Sequence, residues 1–187
     1  DMPNLRQKIR VFQDRHHAGR VLADMLHEWK GSRAIVLAIP SGGIPVAVEV
    51  AGALNLTLDV AVVSKILLPW NTESGFGAVG FDGSVWINQQ YVASYQLDQS
   101  IIAQQTQAAL DKVQRRVTLF RGDRPLSDLQ MRPVIIVDDG IAAGSTMRVA
   151  VQALRNSGAV TIIAAVPTAH EESVARIMNG VDRLYCA

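Results

Sequence analysis

Four short apolar runs constrain this chain more than anything else in it. AIVLAIP (Ala34 to Pro40), LDVAVVSK (Leu58 to Lys65), PVIIVDD (Pro133 to Asp139) and VTIIAAVP (Val160 to Pro167) are dominated by aliphatic residues. None alternates regularly with polar residues, so each reads as a strand buried on both faces. VDRLYC (Val181 to Cys186) is a shorter fifth candidate. Helix-patterned segments separate several of these runs: His16 to Trp29, Ile44 to Leu54, Tyr95 to about Val117, Ser145 to Asn156 and Glu171 to Met178. Strands alternating with helices predict a mainly parallel sheet covered on both faces, a three-layer α/β/α architecture. A length of 187 residues suits a single domain over 1–187, and 49% hydrophobic residues suffice for a packed core.

Two stretches depart from this rhythm. Ile66 to Gly83 is long and Gly-rich, and a loop of that length without its own structure is usually functional or disordered. Part of it, GAVGFDGSVWIN, also reads as a hairpin with Asp82-Gly83 as a type I′ turn. The N-terminal portion, residues 1–30, precedes the first core strand and carries a helix for which Asp14 is the expected N-cap.

Charge and cysteine content narrow the function classes. A net charge of +1 gives no reason to expect nucleic acid or a membrane surface as partner. The basic stretch KVQRRVTLFRGDR (Lys112 to Arg124) is interrupted by Val117, Leu119 and Phe120 and reads as a helix end with its exit loop. One cysteine, Cys186, excludes an internal disulfide and a cysteine metal cluster. No apolar run approaches the ~18 residues of a membrane span and no signal peptide opens the chain, so a cytoplasmic location is expected.

The chemistry concentrates at strand ends. PSGGIP (Pro40 to Pro45) leads directly into a helix, and Gly42 and Gly43 allow backbone N–H groups to approach an anion. Taken alone, it is equally a structural turn. VIIVDDGIAAGSTM (Val134 to Met147) is more specific. Adjacent carboxylates at Asp138 and Asp139 repel and call for a cation, a polyhydroxyl ligand or a helix start nearby. The small residues that follow expose successive N–H groups as an anion nest, with Ser145 and Thr146 adding hydroxyl donors. The competing reading of Ser145 is an ordinary N-cap. VIIVDD also looks like a magnesium-binding strand of nucleotide hydrolases, but the chain has no GxxxxGK[ST] loop. GxSxG and GxGxxG are absent as well.

Val134 to Met147 resembles the phosphoribosyl pyrophosphate motif of type I phosphoribosyltransferases, and PSGGIP is similar to that family's pyrophosphate loop. FQDRHHAGRVLADML (Phe12 to Leu26), Lys65 at the end of the second strand, and PWNTESGFGAVG resemble landmarks of a subgroup described as predicted phosphoribosyltransferases. The resemblance covers nearly the whole chain. It implies that Asp138 and Asp139 engage the donor's ribose hydroxyls and that Gly140, Ile141, Ala142, Ala143, Gly144, Ser145 and Thr146 wrap its 5-phosphate. It places Ser41, Gly42 and Gly43 at the pyrophosphate, with Lys65 adding charge there. Residues 66–83 correspond to a flexible active-site loop. Mg2+ is expected as cofactor, held mainly by the donor's own oxygens rather than by protein ligands.

The implied activity is magnesium-dependent transfer of phosphoribosyl from phosphoribosyl pyrophosphate to an unidentified small-molecule acceptor, a nucleobase being one candidate. The alternative is a non-catalytic protein of the same fold that senses the donor. Ala143 and Ser145 depart from the family's usual residues, yet backbone donors survive both changes. The sequence ends soon after the fifth strand, which leads to the expectation of a small or reduced acceptor hood. A homodimer is the family-based expectation. Glu73, Trp70 and Phe76 in the 66–83 segment are candidate acceptor contacts or loop anchors, and Arg15 is a candidate to reach the site from the N-terminal helix. His16 and His17 are adjacent, so a helix points them apart and a solvated helix start is the simpler reading.

Overall fold

The structure is a computed structural model, which describes residues 2, 5, 8 and 11–187, residue 73 in its backbone alone. The chain opens with α1 (Arg15–Met25) and a 3-10 turn (His27–Trp29), followed by β1 (Ile35–Ala38), α2 (Gly43–Leu54) and β2 (Thr57–Val60). Three strands come next: β3 (Val63–Leu68), β4 (Asn71–Gly80) and β5 (Val85–Ile87). Helices α3 (Gln89–Ser94) and α4 (Gln99–Arg121) lead to β6 (Val134–Val137), α5 (Ser145–Asn156), β7 (Ile162–Val166), α6 (Glu171–Met178) and β8 (Arg183–Cys186).

The expected parallel sheet is present, with order β2-β1-β6-β7-β8 and every pairing parallel. Side-chain alternation divides its strands between two cores. Val36, Ala38, Ile135, Val137, Ile163 and Ala165 pack with Leu22 and Leu26 and with the apolar face of α2. Ile35, Leu37, Val134, Ile136, Ile162 and Ala164 face the other way, onto Met147, Ala150 and Leu154 of α5. The central strands β1, β6 and β7 have both faces covered, which explains why their runs are apolar throughout rather than alternating, while the edge strands β2 and β8 are partly exposed.

From β1 the chain winds outward to β2, whereas from β6 it winds in the opposite direction to β7 and β8. Right-handed crossovers in opposite directions put α2 and α5 on opposite faces and leave a crevice where the direction reverses. That crevice lies at the carboxyl ends of β1 and β6, the two strands that carry PSGG and DDGIAAGST.

Three expectations need correction. Leu58 to Lys65 is not one strand. It spans part of β2, which pairs with β1, and the start of β3, which pairs with β4 in a separate antiparallel sheet of order β3-β4-β5. The apolar run passes from one sheet into the other without a break, so periodicity alone could not divide it. The 66–83 segment is likewise largely strand, not an unstructured loop: Gly75, Gly77 and Gly80 sit in β4, and a tight turn joins β4 to β5 as a hairpin. The turn is not type I′, because Asp82 does not take the positive φ that type requires. The Gly83 N–H donates to the Gly80 carbonyl at 3.0 Å, and Gly83 alone there is left-handed, at a φ of 84°. The helix expected from Tyr95 to about Val117 starts later and runs further, as α4, while Tyr95 closes the separate short helix α3. Gln96 takes a left-handed φ of 50°, and Asp98 then caps α4 by accepting from the Ile101 N–H at 2.8 Å. A third core, of Val62, Ile66, Leu68, Phe76, Val79, Leu97, Ala109 and Val113, joins the antiparallel sheet to α4.

Candidate active site

Two loops meet at the crevice. Beyond β1, the Ile39 N–H donates to the Val137 carbonyl at 2.8 Å, which holds the chain against β6 as it turns through Pro40 to Gly43. A Cβ built on Gly42 would lie 2.1 Å from Oδ2 of Asp139, and one on Gly43 would lie 2.6 Å from the Val137 carbonyl oxygen. At Gly43 an added side chain would meet main chain and force the strands apart, whereas at Gly42 it would displace the Asp139 carboxylate, so both glycines serve close approach at this junction. The Ser41 and Gly42 N–H groups make no backbone hydrogen bond among the described residues.

The two aspartates occupy different environments. Asp138 is 8% exposed. Burial pushes its carboxyl up to about 7 and the neighbouring Asp139 carboxylate adds to this, while the Asp139 N–H, which donates to its Oδ1 at 2.8 Å, and the Arg15 charge oppose the rise. Asp139 is half-buried and takes a guanidinium instead. Arg15 Nε and Nη2 both donate to its Oδ2, at 2.9 and 2.7 Å. Repulsion within the pair is thus relieved in two ways, by an arginine on one member and by a raised pKa on the other.

The loop after the aspartates is pinned from the far side. Ile141 N–H donates to the Thr168 carbonyl and His170 N–H to the Ile141 carbonyl, at 2.9 and 3.1 Å. The Ser173 hydroxyl of α6 donates to the carbonyl of Ala142. Gly144 caps α5 with a left-handed φ of 79°, a conformation that favours glycine. Ser145 and Thr146 are therefore the first residues of the helix rather than its cap, and no side chain caps it. The N–H groups of Ala142, Ala143 and Gly144 make no backbone hydrogen bond among the described residues, and the open N-terminus of α5 follows directly. Such a run of unspent donors suits a tetrahedral oxyanion.

A second arginine enters from α4. Arg116 Nη2 donates to the Ser41 hydroxyl at 2.6 Å. Sequence reasoning missed it, because the basic run at 112–124 read as a helix end; only the packing of α4 against the antiparallel sheet brings the side chain to Ser41. Another arginine of that run, Arg121, is buried and binds Asp59 through Nε at 3.0 Å.

The remaining candidates are spread around this centre. Lys65 does not end the second core strand; it lies on β3 opposite Ala78, past the carboxyl end of β2. Trp70, in the β3–β4 turn, is exposed and meets Tyr95 edge-on at 6.1 Å. Phe76 is fully buried in the third core, which removes it from acceptor contact. The side chain of Glu73 lies outside the described residues. His16 Nδ1 pairs with Glu49 at 2.9 Å, tying α1 to α2.

A cavity of about 900 Å³ adjoins the phosphate-type loop. Its walls include Phe12, Pro167, Val174, Leu184 and Cys186, with Thr168 and His170 shared with the Ile141 hydrogen bonds. Among the described residues no group of three or more His, Cys, Asp or Glu is placed to hold a metal, and no helix is long and apolar enough to cross a membrane.

The family model of the phosphoribosyl transferase domain matches residues 86–186. This chain belongs to the phosphoribosyltransferase family. Proteins of two Mycobacterium tuberculosis strains, CDC 1551 / Oshkosh and H37Rv, are 40% identical over 178 residues, and both are named provisionally as phosphoribosyl transferases. The match covers 95% of this chain and 40% of theirs, so the chain spans well under half the length of these curated relatives. The solved structure of TT1426 from Thermus thermophilus is similar at 34% identity and a TM-score of 0.73, over 94% of this chain and 83% of that one. A purine phosphoribosyltransferase from Pyrococcus horikoshii shares the fold at 18% identity and a TM-score of 0.52, over 92% and 80% of the two chains. The three-layer arrangement with its mainly parallel sheet is thus the type I phosphoribosyltransferase fold.

Proposed function

We propose that the chain transfers phosphoribosyl from phosphoribosyl pyrophosphate to a small-molecule acceptor. The observation that carries this reading is the contact between two anion-suited loops at the sheet's switch point, where Gly42 leaves no room for a side chain against Asp139. The donor has a phosphate at one end and a diphosphate at the other, with a sugar between. Residues 140–146 would hold the 5-phosphate, Asp138 and Asp139 the ribose hydroxyls, and Ser41 to Gly43 the diphosphate, with Lys65 adding charge.

In the reaction the bond from the anomeric carbon to the diphosphate oxygen breaks, and its electron pair leaves with the diphosphate. The acceptor's lone pair forms the new bond to that carbon, and the acceptor's proton passes to solvent or a nearby base. Positive charge on the sugar is complemented by the carboxylates, and negative charge on the leaving group by N–H donors and cations. Magnesium would accompany the donor, held mainly by the donor's own oxygens, and would neutralise diphosphate charge there. For the acceptor, the apolar cavity beside Thr168 and His170 suits a flat ring such as a nucleobase.

Calorimetry with phosphoribosyl pyrophosphate and magnesium tests the donor assignment. The wild type is expected to bind, and the Asp138→Asn/Asp139→Asn double variant to bind at least about tenfold more weakly. Absence of wild-type binding would refute the reading. Incubation with a panel of bases, followed by measurement of released pyrophosphate, separates transfer from donor sensing: a sensor binds the donor and releases nothing.

A further inference from the structure

We propose that Arg116 is a ligand of the donor's diphosphate, held on the Ser41 hydroxyl until that diphosphate arrives. The inference rests on the donor reading above and adds to it a residue outside both phosphate-type loops.

The chemistry of the contact is the starting point. A guanidinium is a permanent cation with five N–H donors, shaped to grip two oxyanions at once. Arg116 spends one donor on a neutral hydroxyl. None of the salt bridges among the described residues includes it. Nor does any second hydrogen-bond acceptor there engage its guanidinium. Arg121 on the same helix shows the contrasting case, because its guanidinium is buried against the Asp59 carboxylate and the Val60 carbonyl. One arginine of the run is therefore satisfied structurally, while the other ends at the anion-suited loop with its charge unneutralised.

Placement supports the role. Val113 and Val117 hold α4 against the antiparallel sheet, so the helix is a fixed platform for the half-buried Arg116. The unspent Ser41 and Gly42 N–H groups lie in the loop it touches. An arriving diphosphate offers that guanidinium charged oxygens in place of a serine hydroxyl, and charge-assisted bonds of this kind are roughly twice as strong as neutral ones. Ser41 accepts in the present contact, so its own O–H proton is available to donate to the same anion.

The test compares inorganic pyrophosphate with magnesium against ribose 5-phosphate, each titrated calorimetrically into wild type, Arg116→Ala and Arg116→Lys. Arg116→Ala is expected to weaken pyrophosphate about 10- to 100-fold and to leave ribose 5-phosphate unchanged. Lysine should recover part of the loss, since it restores charge without the fork. Unchanged pyrophosphate affinity in Arg116→Ala, with the wild type binding, overturns the inference and leaves the donor reading standing. Equal weakening of both ligands also overturns it, because that is the signature of a disturbed fold. Ser41→Ala supplies a further arm. If Arg116 merely braces Ser41, adding Arg116→Ala to Ser41→Ala costs nothing more; a ligand role predicts a further loss of about tenfold or greater. A wild type that binds neither probe overturns the donor reading and this inference together.

Discussion

Arg15 and Asp139 are joined by two hydrogen bonds onto a single carboxylate oxygen, across 124 positions of sequence. The pair ties the first turn of α1 to the acidic end of β6. It also fixes Asp139 where a Cβ on Gly42 would strike it. The carboxylate assigned to the ribose is thus held by an arginine that no loop motif contains.

Arg15→Ala is expected to cost little stability, within about 1 kcal/mol, because the two side chains are 59% and 33% exposed. Donor affinity should fall about three- to tenfold as Asp139 loses its fixed position. Melting temperature and donor calorimetry on the same sample separate the two effects. A large drop in melting temperature with unchanged affinity would make the pair structural.

Gly42→Ala and Gly43→Ala should differ in kind. At Gly43 the added methyl meets the Val137 carbonyl oxygen and the Asp138 Cα, both main chain, at 2.6 and 2.9 Å. Strands β1 and β6 must separate, so a destabilisation of about 1–3 kcal/mol is expected by chemical denaturation. At Gly42 the obstacle is the Asp139 carboxylate, a side-chain end that can move once it leaves Arg15. There the main loss is expected in donor binding, with a smaller change in stability.

Acid and alkaline limits of stability should trace to two different aspartates. Asp138 has its carboxyl raised to about 7 from 3.8, so its contribution is fully present below the ordinary value and is lost as pH rises through about 7. Asp138→Asn should therefore gain melting temperature over the wild type as pH goes from about 5 to about 8. Asp59 has the opposite sign. Burial would raise its pKa, but the Ser127 N–H and hydroxyl, the Val60 N–H and the Arg121 charge outweigh it and hold it below the usual value. Its contribution is present above the ordinary carboxylate value and disappears as pH falls through the lowered one. A melting profile for Asp138→Asn that runs parallel to the wild type across this range would contradict the assignment.

Arg121→Ala should be among the most damaging single substitutions away from the site. Its side chain is 6% exposed and that of Asp59 is 12% exposed, so removing the cation strands a nearly buried carboxylate. A cost of about 3–5 kcal/mol is expected in urea unfolding. Arg121→Met/Asp59→Leu should recover much of it, since the stranded charge is then gone as well.

What the sequence by itself determined is the parallel core and the chemistry of its loops. Residues 35–38, 134–137 and 162–166 read as buried strands because each is covered on both faces, which leaves an unbroken aliphatic run. DDGIAAGST was legible because an anion nest is local, built by consecutive small residues at a helix start. Other features depend on distance in space. The run through Val60 to Val63 passes between two sheets, and nothing in its hydrophobicity marks the transfer. Phe76 read as a loop aromatic until the pairing of β3 with β4 enclosed it. Arg15 meeting Asp139 and Arg116 meeting Ser41 are decided by where α1 and α4 pack, a property of the whole core rather than of either segment. Periodicity and loop chemistry act within a few residues, so they specify the strands and the anion-binding loops. Which cations stand over those loops is set by tertiary packing alone.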